Sequence, residues 1–383
     1  MTLSRITGSV SVAFLMLAQS SAGATFTFTH VNSTAAQAVA IEHAAGIWGD
    51  ILQSAVPIKV RITFFPLGAN ALGITFPNGR RDFGGAPLPQ TWYATALANS
   101  ITGTELNTGE SDIDIFLNIT ANWYTDTDGN PGAGEYDLVS VALHELGHGL
   151  GFVGLSKKVG AEGSLGTLQA SDFAPLTTSF PWPQLDTLPG VFDRYLSDLQ
   201  DGPLTLMQNP GTLLGSAMTG NQIYFNGPVV MATNGGNAPR IYAPTTYALG
   251  SSCVHLNEST YPAGNTNELM TPFSSAGNAN HWPGPLCIAM MQDIGWTLAP
   301  DVGLAENVAA TEALVVWPVP TEDLLHIRGT LATRQGPGTI TDMHGCTVLA
   351  FPFTSVINVA DLAPGIYFVR CDDAGGYARF IKQ

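Results

Sequence analysis

The sequence predicts an α+β fold: a first domain interrupted by a long insertion, then a small antiparallel β-sandwich. Three observations carry this expectation. Alternating strand patterns bracket an amphipathic helix near the start. A second, uniformly apolar helix runs into closely spaced glycines near residue 150. Beyond residue 312, short β-like runs separated by turn residues take over.

In chain order, residues 1–24 read as a signal peptide. Arg5 supplies its positive end, Val10 to Ala18 an apolar stretch too short to span a bilayer, and Ala22-Gly23-Ala24 a small-x-small cleavage pattern. Thr25 to Thr29 alternates Thr and Phe, as a strand does. Residues 35–53 place Val39, Ile41, Ala45, Trp48, Ile51 and Leu52 at helical spacing. In Pro57 to Phe65 the residues Ile58, Val60, Ile62 and Phe64 share one face, opposite Lys59 and Arg61; Ile113 to Leu117 forms another strand. Residues 155–250 hold Gly, Pro and Thr clusters with little periodicity, predicting layered loops and short elements, among them a helix near Asp193 to Leu199. Residues 301–312 read as a linker between domains at 25–300 and 313–383. In the second of these, strands are expected at Ala313–Trp317, Leu324–Arg328, Gly338–Thr341, Thr347–Phe351, Gly365–Cys371 and Ala378–Ile381.

Composition narrows the function classes. Only 11% of residues are charged, while 42 glycines and 25 prolines point to a turn-rich protein of extracellular type. A formal charge of −16 with no basic block excludes nucleic acid as a partner. No later segment reaches roughly 18 uninterrupted apolar residues, so no membrane span is expected after signal removal. Export permits disulfides, and the four cysteines fall into sequence-local pairs, Cys253 with Cys287 and Cys346 with Cys371.

The strongest chemical signal is His144-Glu145-Leu146-Gly147-His148. Four residues apart on a helix, both histidines project from one face and can reach one Zn²⁺, with Glu145 beside them as a general base. Asp137 suits the helix start, and two buried histidines with a buried glutamate would be costly there without a metal. A catalytic zinc needs a third protein ligand and one open position. In the compact motif that ligand stands six residues after the second histidine, but here the position is Gly154; Gly151 sits where the chain must turn away from the helix. His255 is the leading candidate from farther along. Glu162, Asp172, Asp186, Asp193 and His281 stay open as alternatives, His281 reading more simply as a loop residue near the cleft. Asp126 to Asn130 has the look of a calcium loop but lacks the bidentate Glu, so a plain Asp-Gly turn is expected.

His255 lies in Ser251-Ser252-Cys253-Val254-His255 and is followed by Asn267-Glu268-Leu269-Met270-Thr271-Pro272. With the metal-site helix and Met290-Met291-Gln292-Asp293-Ile294-Gly295-Trp296, these segments resemble the leishmanolysin-type branch of the metzincin metalloproteases. The resemblance implies His144, His148 and His255 as zinc ligands, Glu145 as general base, and Met270 in a Met-turn beneath the metal. It covers about residues 35–298, although the insertion differs in sequence and no cysteine precedes Cys253 to block the zinc. Substrate is expected to lie extended beside an edge strand, for which Ser111 to Leu117 is the candidate.

Residues 313–383 resemble the C-terminal sorting domain of the type IX secretion system. The resemblance rests on Trp317-Pro318-Val319-Pro320, Ile340 to Gly345, Ile357 to Leu362, Pro364 to Val369 and Lys382. It implies export through the periplasm to the cell surface or beyond, the type IX machinery as a partner, and no catalytic role for this segment. Together these readings imply a secreted zinc metalloendopeptidase acting on extracellular protein or peptide substrates. The alternative is a surface adhesin or binding protein on a protease scaffold; Glu145 beside both histidines favours the enzyme.

Overall fold

The computed structural model describes residues 23–69, 71–176, 186–300, 315–317, 321–328, 338–342, 347–352, 356–371 and 377–383. The chain divides into two compact units, residues 1–302 and 303–383. Most of the expected signal peptide and the linker at 301–312 lie outside the described residues.

In the first unit, β1 (Phe26–Val31), β2 (Ile58–Phe65), β3 (Gly73–Pro77) and β6 (Ile113–Asn118) form a sheet in the order β1-β2-β6-β3. The first three in that order run parallel, and β3 joins antiparallel at the edge. The alternation in β2 works as expected: Ile58, Val60, Ile62 and Phe64 are buried, while Lys59 and Arg61 on the other face pair with Glu105 and Asp114. Between β3 and β6 come the hairpin β4 (Gly79–Arg81) and β5 (Trp92–Ala94), then α2 (Thr95–Thr102).

Helix α1 (Ala35–Ile51) starts at Thr34, whose hydroxyl accepts from the Gln37 amide while the Gln37 side chain accepts from the Thr34 amide. Helix α3 (Leu138–Gly149), reached through the short parallel pair β7 (Trp123–Tyr124) and β8 (Tyr136–Asp137), packs on α1. There Trp48 Nε1 donates to the Leu143 carbonyl at 2.9 Å. The plain Asp-Gly turn read at Asp126 to Asn130 is present, with Asp128 accepting from the Asn130 amide and Gly129 at φ +71°.

The insertion is built of small pieces: β9 (Ser156–Val159), β10 (Glu162–Leu165), β11 (Leu196–Asp198), β12 (Gly202–Pro203), α4 (Thr212–Ala217), β13 (Ile223–Phe225) and α5 (Pro228–Thr233). The helix expected at Asp193 to Leu199 is instead a 3-10 turn, Phe192–Tyr195, running into β11. Tertiary pairing of β11 with β13 overrides the short local pattern. Helix α6 (Pro285–Ile294) closes the unit. Its Asp293 carboxylate accepts from the Val229 and Val230 amides at the start of α5, and Trp296 Nε1 donates to the Leu150 carbonyl at 2.7 Å.

One expectation is overturned here: Cys253 and Cys287 are both free. Each is packed separately as a small apolar group in the main core, Cys253 in the loop before His255 and Cys287 on α6. Cys346 of the second expected pair lies outside the described residues.

The second unit holds two antiparallel sheets. One contains β14 (Val315–Trp317), β15 (Leu324–Arg328) and β18 (Val356–Asn358); the other runs β17 (Thr347–Phe351), β16 (Gly338–Asp342), β19 (Gly365–Cys371), β20 (Tyr377–Lys382). They share a small core that includes Leu325, Ile340, Ile357, Val369 and Phe380.

Candidate metal centre

The N-terminus of α3 is fixed by Asp137, whose Oδ2 accepts from the Ser140 amide at 2.7 Å and hydroxyl at 2.6 Å. One face of the helix then enters the core through Leu138, Val139, Ala142, Leu143 and Leu146. His144, Glu145 and His148 turn toward a cleft of about 720 Å³ that edge strand β3 also lines. After Leu150 the chain reverses at Gly151 (φ +121°), a conformation that suits glycine. The reversal returns the Phe152 carbonyl to His148, whose Nδ1 lies 2.7 Å away.

The third histidine arrives from a distant segment. Cys253 at φ +67° bends the chain; Leu256 N–H donates to the Met270 carbonyl, and Tyr242 N–H to the His255 carbonyl. His255 is thereby held in the cleft, 111 residues along the chain from His144. Met270 is fully buried against α3: a Cβ added to Gly147 would stand 2.9 Å from its Sδ. Glycine at 147 is what lets the sulfur approach the helix between the two histidines.

The geometry of the three rings is specific. His144 Nδ1 contacts the Leu269 carbonyl at 2.6 Å, His148 Nδ1 that of Phe152 at 2.7 Å, and His255 Nδ1 that of Ser251 at 2.9 Å. A carbonyl only accepts, so each Nδ1 carries the proton and each Nε2 presents a lone pair. The three Nε2 atoms lie 3.0, 3.1 and 3.3 Å apart. Burial lowers the pKa of all three, that of His255 to about 3; His144 and His255 depress His148 further, and His144 depresses His255. Neutral rings with converging lone pairs repel unless a cation stands between them. Three nitrogens on a tetrahedral zinc, each about 2.0–2.1 Å from it, would stand about 3.3–3.4 Å apart. The donor set fits a zinc ion, and the backbone carbonyls on the Nδ1 atoms are the partners that orient such ligands.

Glu145 is buried beside His144. Burial raises its pKa to about 7, partly opposed by the Thr75 hydroxyl, which donates to Oε2 at 2.6 Å. The alternative ligands stand elsewhere. His281 donates to Asp137 at the start of α3, 2.8 Å away, and Glu162 is exposed on β10. Asp172 pairs with Lys157, and Asp186 with Arg81. Asp193 accepts from the Leu155 and Gly190 amides, and its Oδ1 would lie 2.6 Å from a Cβ on Gly154. Residue 154, where the compact motif would put its histidine, therefore has no room for a side chain.

The expected substrate strand needs correction. Ser111 to Leu117 falls largely in β6, which is paired on both sides by β2 and β3; the edge strand that lines the cleft is β3. Sequence reading missed β3 and its Gly73 and Thr75, because five residues bounded by Gly and Pro carry no alternation to find.

Comparison with known proteins bears on the second unit. Residues 315–382 match the family described as Secretion system C-terminal sorting domain. The protein is thus secreted or displayed at the cell surface, and the type IX secretion machinery is the partner of this segment. Among the described residues, no helix is long and apolar enough to cross a membrane. No curated protein matches the chain.

Proposed function

We propose that the first unit is a zinc-dependent endopeptidase of the leishmanolysin-like metzincin type, acting on extracellular proteins. The observation that carries this reading is the convergence of three neutral imidazole Nε2 atoms in an open cleft, with a buried carboxylate next to them. The distant third histidine, Met270 under the metal-site helix and an antiparallel edge strand along the cleft support the metzincin assignment.

His144, His148 and His255 would hold the ion, leaving the cleft side for water and substrate. When bound there, zinc supplies Lewis acidity toward a carbonyl and acidifies water. Glu145, buried next to the ligand histidines, is placed to serve both halves of the proton traffic. Its free oxygen takes a proton as a water oxygen bonds to the scissile carbon. It returns that proton to the leaving nitrogen as the C–N bond breaks. Strand β3 offers its backbone edge to an extended peptide, aligning the scissile bond beside Glu145.

Casein hydrolysis by the mature protein, by Glu145→Gln and by protein treated with o-phenanthroline tests the reading. Activity confined to the untreated wild type is expected. Equal activity in all three samples would overturn it, and no activity with intact zinc would favour a binding protein on this scaffold.

A further inference from the structure

We propose that Gly73 and Thr75 of edge strand β3 are positioning residues that dock the Glu145 carboxylate; the inference rests on the function proposed above. Two independent contacts point to it. Thr75 Oγ1 donates to Glu145 Oε2 at 2.6 Å, the one hydrogen bond to this carboxylate among the described residues. Two positions away on the same face of the strand, Gly73 lies flat against the other side of Glu145. A Cβ added at Gly73 would stand 2.4 Å from Oε1, 2.6 Å from Cδ and 2.7 Å from Cγ.

The chemistry explains why both are needed. The terminal torsion of a glutamate is soft, so an unanchored carboxylate samples a broad range of orientations. A hydroxyl donating to an ionised carboxylate makes a short, strong bond, and 2.6 Å is within that class. Thr75 therefore pins one oxygen and leaves the second for the proton transfer. Gly73 supplies the space that lets the whole side chain rest on the strand. The strand that would receive the substrate backbone also sets the angle of the base, so substrate and base are registered on the same five residues, Gly73–Pro77.

Thr75→Val keeps the shape and removes the hydroxyl; Thr75→Ser keeps the hydroxyl. On a peptide substrate, Thr75→Val should lower kcat roughly 10- to 100-fold, the scale expected for a misplaced catalytic group, with KM changed less than about threefold and zinc content unchanged. Thr75→Ser should recover most of the rate. In crystals of Gly73→Ala, the Glu145 carboxylate should have left Thr75, a readout that does not depend on activity. Wild-type kcat in Thr75→Val, failure of serine to rescue, or an unmoved carboxylate in Gly73→Ala would each overturn the proposal. Loss of activity in Glu145→Gln alongside a silent Thr75→Val would sink this inference alone. Full activity in Glu145→Gln would sink the proposed function instead.

Discussion

Asp193→Asn tests the electrostatics behind the segment that carries His255. The Asp193 side chain is fully buried; Oδ2 accepts from the Leu155 amide at 3.0 Å and the Gly190 amide at 2.9 Å, while Oδ1 has no hydrogen-bond partner. Burial pushes its pKa up from 3.8 to about 6, the two amides and Arg194 opposing. A carboxyl raised in the folded state stabilises it below the unfolded pKa, and that contribution is lost as pH rises through the folded value. The shift of about two units corresponds to roughly 3 kcal/mol between the protonated and ionised forms. Asparagine preserves the accepting oxygen and cannot ionise. The stability difference between variant and wild type should therefore move in favour of the variant by about 2–3 kcal/mol between pH 4 and pH 8. Urea titrations of both proteins at the two pH values measure it, because every other titrating group cancels in the difference. A difference constant to within about 0.5 kcal/mol, far below the linkage expected, would refute the reasoning.

Three further outcomes follow from the same geometry. Met270→Ala should cost about 2–5 kcal/mol in urea unfolding because it empties the space under Gly147, whereas Met270→Leu should cost less than about 1.5 kcal/mol. Metal analysis should find little zinc bound to His255→Ala and a full complement in His281→Ala. The latter should lose about 1–3 kcal/mol of stability by unpairing Asp137. Asp137 is held below the usual carboxylate range, the bonds from His281 and Ser140 outweighing its burial, so this loss should fade as acid protonates Asp137. Trp296→Phe should cost about 1–3 kcal/mol, measured by thermal or urea unfolding, since the buried Leu150 carbonyl loses its donor.

Legibility in the sequence followed the range of the interactions. Helix α3 was readable because its Asp137 cap, apolar face and paired histidines all act within a few residues. Strand β2 was readable because strict alternation leaves few other folds. His255 could be proposed only through the company of Met270; nothing local shows that Ser251 would orient its ring. What was illegible depended on contacts across the fold. Strand β3 has no period of its own, and without it the sequence leaves β6 looking like an edge. Gly154 read as a missing ligand, whereas the structure shows a glycine required by Asp193, 39 residues on. The cysteines at 253 and 287 are close enough in sequence to suggest a bridge, yet each is buried in its own surroundings.

Those two thiols bear on how the protein travels. Burial pushes Cys253 up to about 12 and Cys287 higher still, so almost no thiolate exists at neutral pH to react with an oxidant. The first unit is consequently held together without a covalent link between these sulfurs. A reductant outside the cell finds no bond between these two sulfurs to break. The His255 loop, two residues from one of these sulfurs, is held by backbone hydrogen bonds and packing rather than by a cross-link.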